Sequence, residues 1–256
     1  MNFTSKQIWL INYPVMMSVL VEQLINITDA IFLGHVGETE LGASAIAGMY
    51  YLALYILGFG FSLGLQVMIA RRNGEQRPGE AGKVFLLGLF FLSALALTLC
   101  GLSKIFSPIV LCQLLSSPKI YEAVMQYLDW RTFGLLFAFP MLAFRAFFVG
   151  ITRTRVLVVS ATTLACTNVV LNYVFIFGAG AIPALGITGA ALASSISELG
   201  GLLVLVVYTR LKIDRRHHGL FPLLDWRLQG QLFHLSAWSM MHSFISVAPW
   251  FLFFVA

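Results

Sequence analysis

Four carboxylates stand within or near long apolar stretches of the sequence, where a charged side chain is costly. Glu22 and Asp29 belong to one stretch, Asp129 to a second and Glu198 to a third. A charged residue at membrane depth costs about 2.5–3.5 kcal/mol, so it faces the bundle interior and marks an ion or substrate pathway. In a dry site a carboxyl group takes up a proton, and in a wet site it stays charged and binds a cation. These residues therefore predict reversible cation binding.

Their spacing predicts which side chains share a surface. Glu22 and Asp29 are seven residues apart, about two helical turns, with Asn26 between them. A helix would carry these three residues as one polar stripe that points into the protein. Asn168 and Asn172 are four residues apart, so they also share a helix face.

Other residues in the apolar stretches suggest motion or anchoring. Pro14 removes a backbone hydrogen bond and is predicted to let its helix bend. Glu198 follows several serines near the middle of its stretch, so it is a candidate for ion coupling as well as for a structural role. Asp129, Arg131 and Arg145 lie nearer the ends of another stretch, where interfacial pairing or snorkelling is predicted.

Composition decides the class of protein that holds these residues. Of the 256 residues, 59% are hydrophobic and 11% are charged, whereas globular proteins have about 45–50% and about 25%. This excludes a soluble enzyme, a disordered protein and a disulfide-stapled secreted module. The basic residues gather between apolar stretches, which argues against nucleic-acid binding. No Walker loop or HExxH motif occurs, so neither an enzyme nor a cofactor or resident metal is predicted.

The elements that must position the polar residues are membrane-spanning helices. About 20 apolar residues cross the hydrocarbon core, and the stretches here are continuous, as in helices, rather than alternating, as in a β-barrel. An all-α integral membrane protein is predicted, with residues 107–122 as a longer, partly interfacial connection. The seven predicted spans are 8–33, 41–70, 84–106, 123–149, 156–177, 187–209 and 231–256.

Charge predicts the orientation. Twelve of the sixteen Lys and Arg lie before span one or in the loops after even-numbered spans, and only two lie in the opposite loops. The positive-inside rule then places the N-terminus in the cytoplasm. We expect a multi-pass protein of the cell (inner) membrane. The same rule makes the loop 210–230 cytoplasmic, where the pair His217-His218 is expected to be solvated rather than metal-binding.

A weak internal repeat predicts the domain organisation. A shift of 224 residues places span seven over span one, with Gln7 over Gln231, Met16 over Met240 and Met17 over Met241. We expect residues 1–209 to form a six-helix lobe, 210–230 a cytoplasmic linker, and 231–256 the first helix of a second lobe. The rest of that lobe is expected in the same chain, with a homodimer as the alternative.

Three segments have a distinctive pattern and order: DAIFLGHVGETELGASAIAG (29–48), FRAFFVGITRTR (144–155) and TNVVLNYVFIFGAGAIPALGITGAALASSIS (167–197). Across spans one to six, they resemble the multidrug and toxic compound extrusion (MATE) family. The resemblance implies two six-helix lobes, twelve helices in all. It also implies an antiporter, driven by H⁺ or Na⁺, that extrudes organic, cationic or amphipathic compounds from the cytoplasm.

The resemblance also implies residues of the ion and substrate cavity. Asp29 matches an Asp on the family's first helix, and Asn168 matches an Asn on its fifth. Asn172 stands where the family often has an Asp, and an amide cannot take up a proton. A proton site would then depend on Asp29, with Glu22 or Glu198 contributing. Glu22 lies one heptad before that Asp, where related proteins can carry a polar cavity residue.

Two alternatives stand beside the antiporter. A lipid-linked oligosaccharide flippase of the same superfamily would share the helix count, but its cavity usually carries more cationic residues to hold pyrophosphate. The acidic cavity predicted here favours a cationic cargo. The second alternative is a non-transporting half-transporter, a single lobe that inserts into the membrane but cannot alternate.

Overall fold

The computed structural model describes residues 5–180, 183–220 and 226–255, and most of them are helical. A 3₁₀ turn, Thr132–Gly134, joins the fourth and fifth of the helices in this part of the chain. The α-helices are α1 Ser5–Val36, α2 Glu38–Gly74, α3 Pro78–Leu114, α4 Pro118–Arg131, α5 Leu135–Gly150, α6 Arg155–Phe177, α7 Gly186–Lys212 and α8 Trp226–Val255.

The helices confirm an all-α, multi-pass membrane protein. Six segments of the described chain are long and apolar enough to cross a membrane, and they match the first six predicted spans. The fourth of these segments, Pro118–Gly150, combines α4, the 3₁₀ turn and α5. The predicted seventh span falls within α8, apart from residue 256, which lies outside the described residues. Its crossing of the membrane stays a prediction.

The predicted connection at 107–122 is wrong. Helix α3 continues through Pro108 to Leu114, and α4 begins at Pro118, so only three residues separate the two helices. A proline near the end of a helix removes one hydrogen bond, and a proline in the first turn fits a helix start. Ser107 is buried against the bundle. Packing therefore outweighs the local loop signal.

The largest fully buried side chains in the core of the bundle are phenylalanines. Phe61 on α2 and Phe139, Phe147 and Phe148 on α5 are almost completely buried, and Phe85 on α3 packs against this group. A smaller cluster forms where α1, α2, α3, α4, α6 and α7 meet. Helix α6 packs between α7 and α1, which brings their polar side chains together.

Helix α8 packs against α2 at a close crossing. A Cβ atom on Gly60 would collide with the backbone of Met240, and one on Gly64 would collide with Ser236. Glycines four residues apart let two membrane helices approach backbone to backbone. The contact joins the six-span region to α8 without long side chains between them.

We expect Gly64→Ala to weaken this crossing. The added methyl group meets the Cα of Ser236, and overpacking of this kind costs about 1–3 kcal/mol. The thermal midpoint of the detergent-solubilised chain should therefore fall by about 2–10 °C. Gly48→Ala is the matched control, because a Cβ at Gly48 of the same helix meets open space. Equal midpoints for both variants would contradict the crossing.

The segment between α7 and α8 is shorter than the predicted linker. Helix α7 ends at Lys212 and α8 begins at Trp226, and the stretch 221–225 lies outside the described residues. His217 is exposed, as expected for a solvated residue. His218 instead packs against Phe147, with ring centroids 6.2 Å apart. This burial lowers the pKa of His218, so the expectation of a solvated pair is wrong for His218.

Candidate functional site

One stripe of α1 faces the other helices. Glu22 and Asp29 both lie on this stripe. Asn26 lies outside it, because its side chain is exposed, and its amide donates a hydrogen bond to Gln23 at 3.2 Å. At about 100° per residue, positions 25 and 26 flank the stripe at nearly equal angles. Packing decides between them: apolar Ile25 turns inward and polar Asn26 outward. The stripe comprises Pro14, Ser18, Glu22, Ile25, Asp29 and Leu33.

Asp29 lies in a network contributed by α6 and α7. Asn172 Nδ2 donates to Asp29 Oδ1 at 2.5 Å, and Ser194 Oγ donates to Asp29 Oδ2 at 3.3 Å. Asn172 Nδ2 also donates to Asn168 Oδ1 at 2.9 Å, and Asn168 Nδ2 donates to Ser194 Oγ at 3.3 Å. The structure thus brings Asp29 together with Asn168 and Asn172, the two amides that the sequence predicted for this site. Ser194 completes the network, although the sequence predicted packing rather than ligation for the serines.

One acceptor in this network has no partner. Asn172 Oδ1 is buried and receives no hydrogen bond from the described residues. Buried polar atoms are almost always paired. An unpartnered oxygen beside the Asp29 carboxylate therefore favours a bound cation or a donor from a substrate.

Glu198 lies in a different environment. Arg131 Nη2 donates to its Oε1 at 2.7 Å, and the Tyr51 hydroxyl donates to the same oxygen at 3.2 Å. The guanidinium of Arg131 also stacks on the Tyr51 ring, 3.7 Å from its centroid, in a cation–π contact. A Cβ on Gly134 would collide with both charged groups. Only glycine therefore fits at position 134, where the 3₁₀ turn passes beside this ion pair.

Glu22 is also neutralised by an arginine. Arg145 Nη1 on α5 donates to its two carboxylate oxygens at 3.1 and 3.2 Å. A cavity of about 20 Å³ lies beside the pair, and Tyr55 and Ser160 are among the residues that line it. A volume of this size holds about one water molecule. The Glu22 pair therefore forms a polar bridge between α1 and α5 rather than an open cation site.

Pro14 lies within α1, and the helix is continuous across it. Its missing N–H leaves the carbonyl of Leu10 without the usual helical partner. The next carbonyl, that of Ile11, accepts a hydrogen bond at 3.0 Å from the hydroxyl of Thr154, just before α6. Side chains of this kind support a membrane helix around a proline.

Asp29 differs from the other carboxylates of the predicted spans. It has no Lys, Arg or His partner within ion-pair distance in the described part of the chain, whereas each of the others has one. The sequence predicted interfacial pairing or snorkelling for the two span-four arginines, and the structure shows each of them paired with an acid from another helix. The presence of opposite charges in separate predicted spans was the sequence signal that could have predicted these ion pairs. The ion pairs are Arg145–Glu22, Lys104–Asp129 and Arg131–Glu198.

Known proteins are similar to this chain in sequence and in fold. The MatE family model matches residues 14–174. The probable multidrug resistance protein NorM of Agrobacterium fabrum is 26% identical over 226 residues, which are 87% of this chain and 48% of that protein. The chain thus spans about half the length of the curated relatives it matches.

Solved structures show the same helical architecture at low sequence identity. The eukaryotic MATE transporter AtDTX14 has a TM-score of 0.84 and 19% identity, over 95% of this chain and 54% of that one. A MATE in the bent conformation has a TM-score of 0.81 and 19% identity, over 92% and 52%. Since the family match covers more than half of the chain and includes Asp29, Asn168 and Asn172, the chain belongs to the multidrug and toxic compound extrusion (MATE) family.

Proposed function

We propose that this chain is the ion-binding lobe of a cation-coupled antiporter that extrudes organic, cationic or amphipathic compounds from the cytoplasm. The observation that carries the proposal is the Asp29 site. It combines a carboxylate that lacks a cationic partner in the described chain with the unpartnered oxygen of Asn172. Such a site binds H⁺ or Na⁺, and an organic cation competes for the same charge.

In this mechanism the ion and the cargo exchange at Asp29. A proton or Na⁺ neutralises the carboxylate and so weakens its attraction for a bound organic cation. Coupling arises only when the inward-facing and outward-facing states differ in their affinities for ion and cargo. Helix α1 is the element that moves, because it carries Asp29 and buries few side chains against the bundle. Pro14 provides the position at which it bends.

The other residues of the predicted cavity take different roles. Asn168 and Asn172 orient Asp29 and supply oxygen ligands. Glu22 and Glu198 remain ion-paired with their arginines and do not carry the coupling ion. Asn26, on the exposed surface of α1, is a cargo contact at most.

The proposal includes the orientation and the partner of the lobe. The N-terminus lies in the cytoplasm, as the distribution of Lys and Arg predicts. A second lobe, starting with residues 231–256, completes the transporter in the same chain. If no second lobe is encoded, two copies must pair, and failure of pairing would leave the half-transporter inactive.

A transport assay separates the antiporter from the flippase. The complete product of the gene is reconstituted in liposomes, and uptake of ethidium is measured under an imposed H⁺ gradient and, separately, an imposed Na⁺ gradient. We expect one of the two gradients to drive uptake and its collapse to stop it. Gradient-independent movement of a pyrophosphate-linked lipid, without ethidium transport, would support the flippase instead. The flippase is disfavoured because both intramembrane arginines, Arg131 and Arg145, are occupied by carboxylates.

A further inference from the structure

Helices α2 and α8 enclose a cleft outside the Asp29 site. The two helices touch at Gly60 and Gly64 of α2. One to two turns farther toward the C-terminal end of α2, they line an open cleft of about 690 Å³. The α2 wall consists of Val67, Met68, Arg71 and Arg72, and the α8 wall consists of Gly230, Gln231, His234 and Leu235.

The polarity of the cleft changes along the helices. Val67, Met68 and Leu235 form the part nearer the helix crossing, inside the apolar layer. Arg71 and Arg72 lie within the last turn of α2, which ends at Gly74. The cleft therefore has an apolar inner part and a basic outer part at the membrane surface. This is the arrangement of a phospholipid, with its acyl chains inside and its phosphate at the interface.

The arginines can still bind an anion although they form ion pairs. Arg71 contacts Glu75 at 3.1 Å, but 76% of its side chain is exposed. Arg72 Nη1 pairs with Glu75 at 3.0 Å, and its Nε lies 3.3 Å from Glu80, but this Nε is buried and donates no hydrogen bond. An exposed ion pair such as Arg71–Glu75 is worth about 0–1 kcal/mol. A phosphate, which accepts two parallel N–H bonds from one guanidinium, competes well with them.

We propose that this cleft binds one anionic phospholipid. Its phosphate contacts Arg71 and Arg72, and an acyl chain lies along Val67, Met68 and Leu235. A basic pocket between membrane helices on the cytoplasmic side suits an anionic headgroup. A bound lipid would fill the gap between the six-span region and α8, and so brace the contact between them. The proposal is independent of the Asp29 mechanism.

Native mass spectrometry tests the site. The complete product of the gene is purified in detergent and titrated with phosphatidylglycerol and, separately, with zwitterionic phosphatidylethanolamine. We expect one saturable phosphatidylglycerol adduct, at least about tenfold tighter than the phosphatidylethanolamine adduct. Each basic residue near an anionic lipid contributes about fivefold in affinity, so Arg71→Gln/Arg72→Gln should weaken phosphatidylglycerol binding about 25-fold.

Two further variants make the result specific. Arg215→Gln/Arg216→Gln removes the same charge from the exposed segment after α7, and binding should change less than twofold. Gly230 lines the cleft and faces open space, so Gly230→Phe narrows the cleft without removing charge and should also weaken lipid binding. This second variant decides the matter if the arginine variant does not fold.

The outcomes that overturn the proposal are distinct. Equal affinity for the two lipids, or equal weakening by the Arg215/Arg216 variant, would show nonspecific adsorption. If millimolar inorganic phosphate displaces phosphatidylglycerol completely, the cleft is a site for free anions and the acyl chain contributes nothing. Unchanged binding in both the Arg71/Arg72 and the Gly230 variants would place the lipid elsewhere.

Discussion

Asp29→Asn is expected to reduce ion-coupled efflux to the level of liposomes without protein. The substitution removes the one carboxylate of the described spans that has no cationic partner, while Asn retains its shape and can still accept a hydrogen bond from Asn172. Without a charge to neutralise, neither the ion nor an organic cation gains affinity in one state over the other, and the coupling is lost. Efflux is measured with ethidium under the driving gradient.

A charge swap controls this prediction. Asp29→Asn combined with Asn172→Asp keeps one carboxylate in the site and moves it across a 2.5 Å contact from α1 to α6. We expect the double variant to recover part of the ion-dependent efflux, and each variant should insert and express normally. Full efflux against a gradient by Asp29→Asn alone would exclude Asp29 as the coupling residue.

Arg131→Gln is expected to destabilise the protein more than the other single substitutions considered above. It leaves the Glu198 carboxylate buried without its cation, since Tyr51 alone cannot neutralise the charge. Removal of one partner of a buried ion pair costs about 3–5 kcal/mol. The thermal midpoint in detergent should then fall by about 6–20 °C.

The chain contains a matched control for this effect. Lys104 and Asp129 approach to the same 2.7 Å as Arg131 and Glu198, but their side chains are 36% and 56% exposed rather than 13% and 11%. Lys104→Gln should therefore cost less than about 1 kcal/mol. Arg131→Leu/Glu198→Leu should restore much of the stability, because no buried charge is left unpaired. A midpoint for Arg131→Gln equal to that of Lys104→Gln would refute a buried ion pair.

Composition and hydrophobic runs were sufficient to predict the class of fold. A low charge content and stretches of more than 20 apolar residues leave only membrane-spanning helices, and six of these are confirmed. Helix ends were less predictable. Pro108 and Ser107 indicate a loop by local preference, but α3 continues through both because its side chains are buried against the bundle.

Spacing was also sufficient to place some site residues on a common face. Glu22 and Asp29 do share the inner stripe of α1, and Asn168 and Asn172 are both fully buried on one face of α6. These predictions depend only on helical periodicity. Asn26 shows the limit of the method, because periodicity places positions 25 and 26 at equal angles and only the neighbouring helices decide between them.

Local sequence patterns were enough to predict which acidic residues lie in apolar stretches, because the length of such a stretch is a local property. Only helix packing showed which of these acids lacks a cationic partner. Glu22, Asp129 and Glu198 each receive a cation from a residue 123, 25 or 67 positions away in the chain, and Asp29 receives amide and hydroxyl donors instead. Charges separated by tens of residues pair only when helices pack, and packing is what separates the candidate ion site from its paired neighbours.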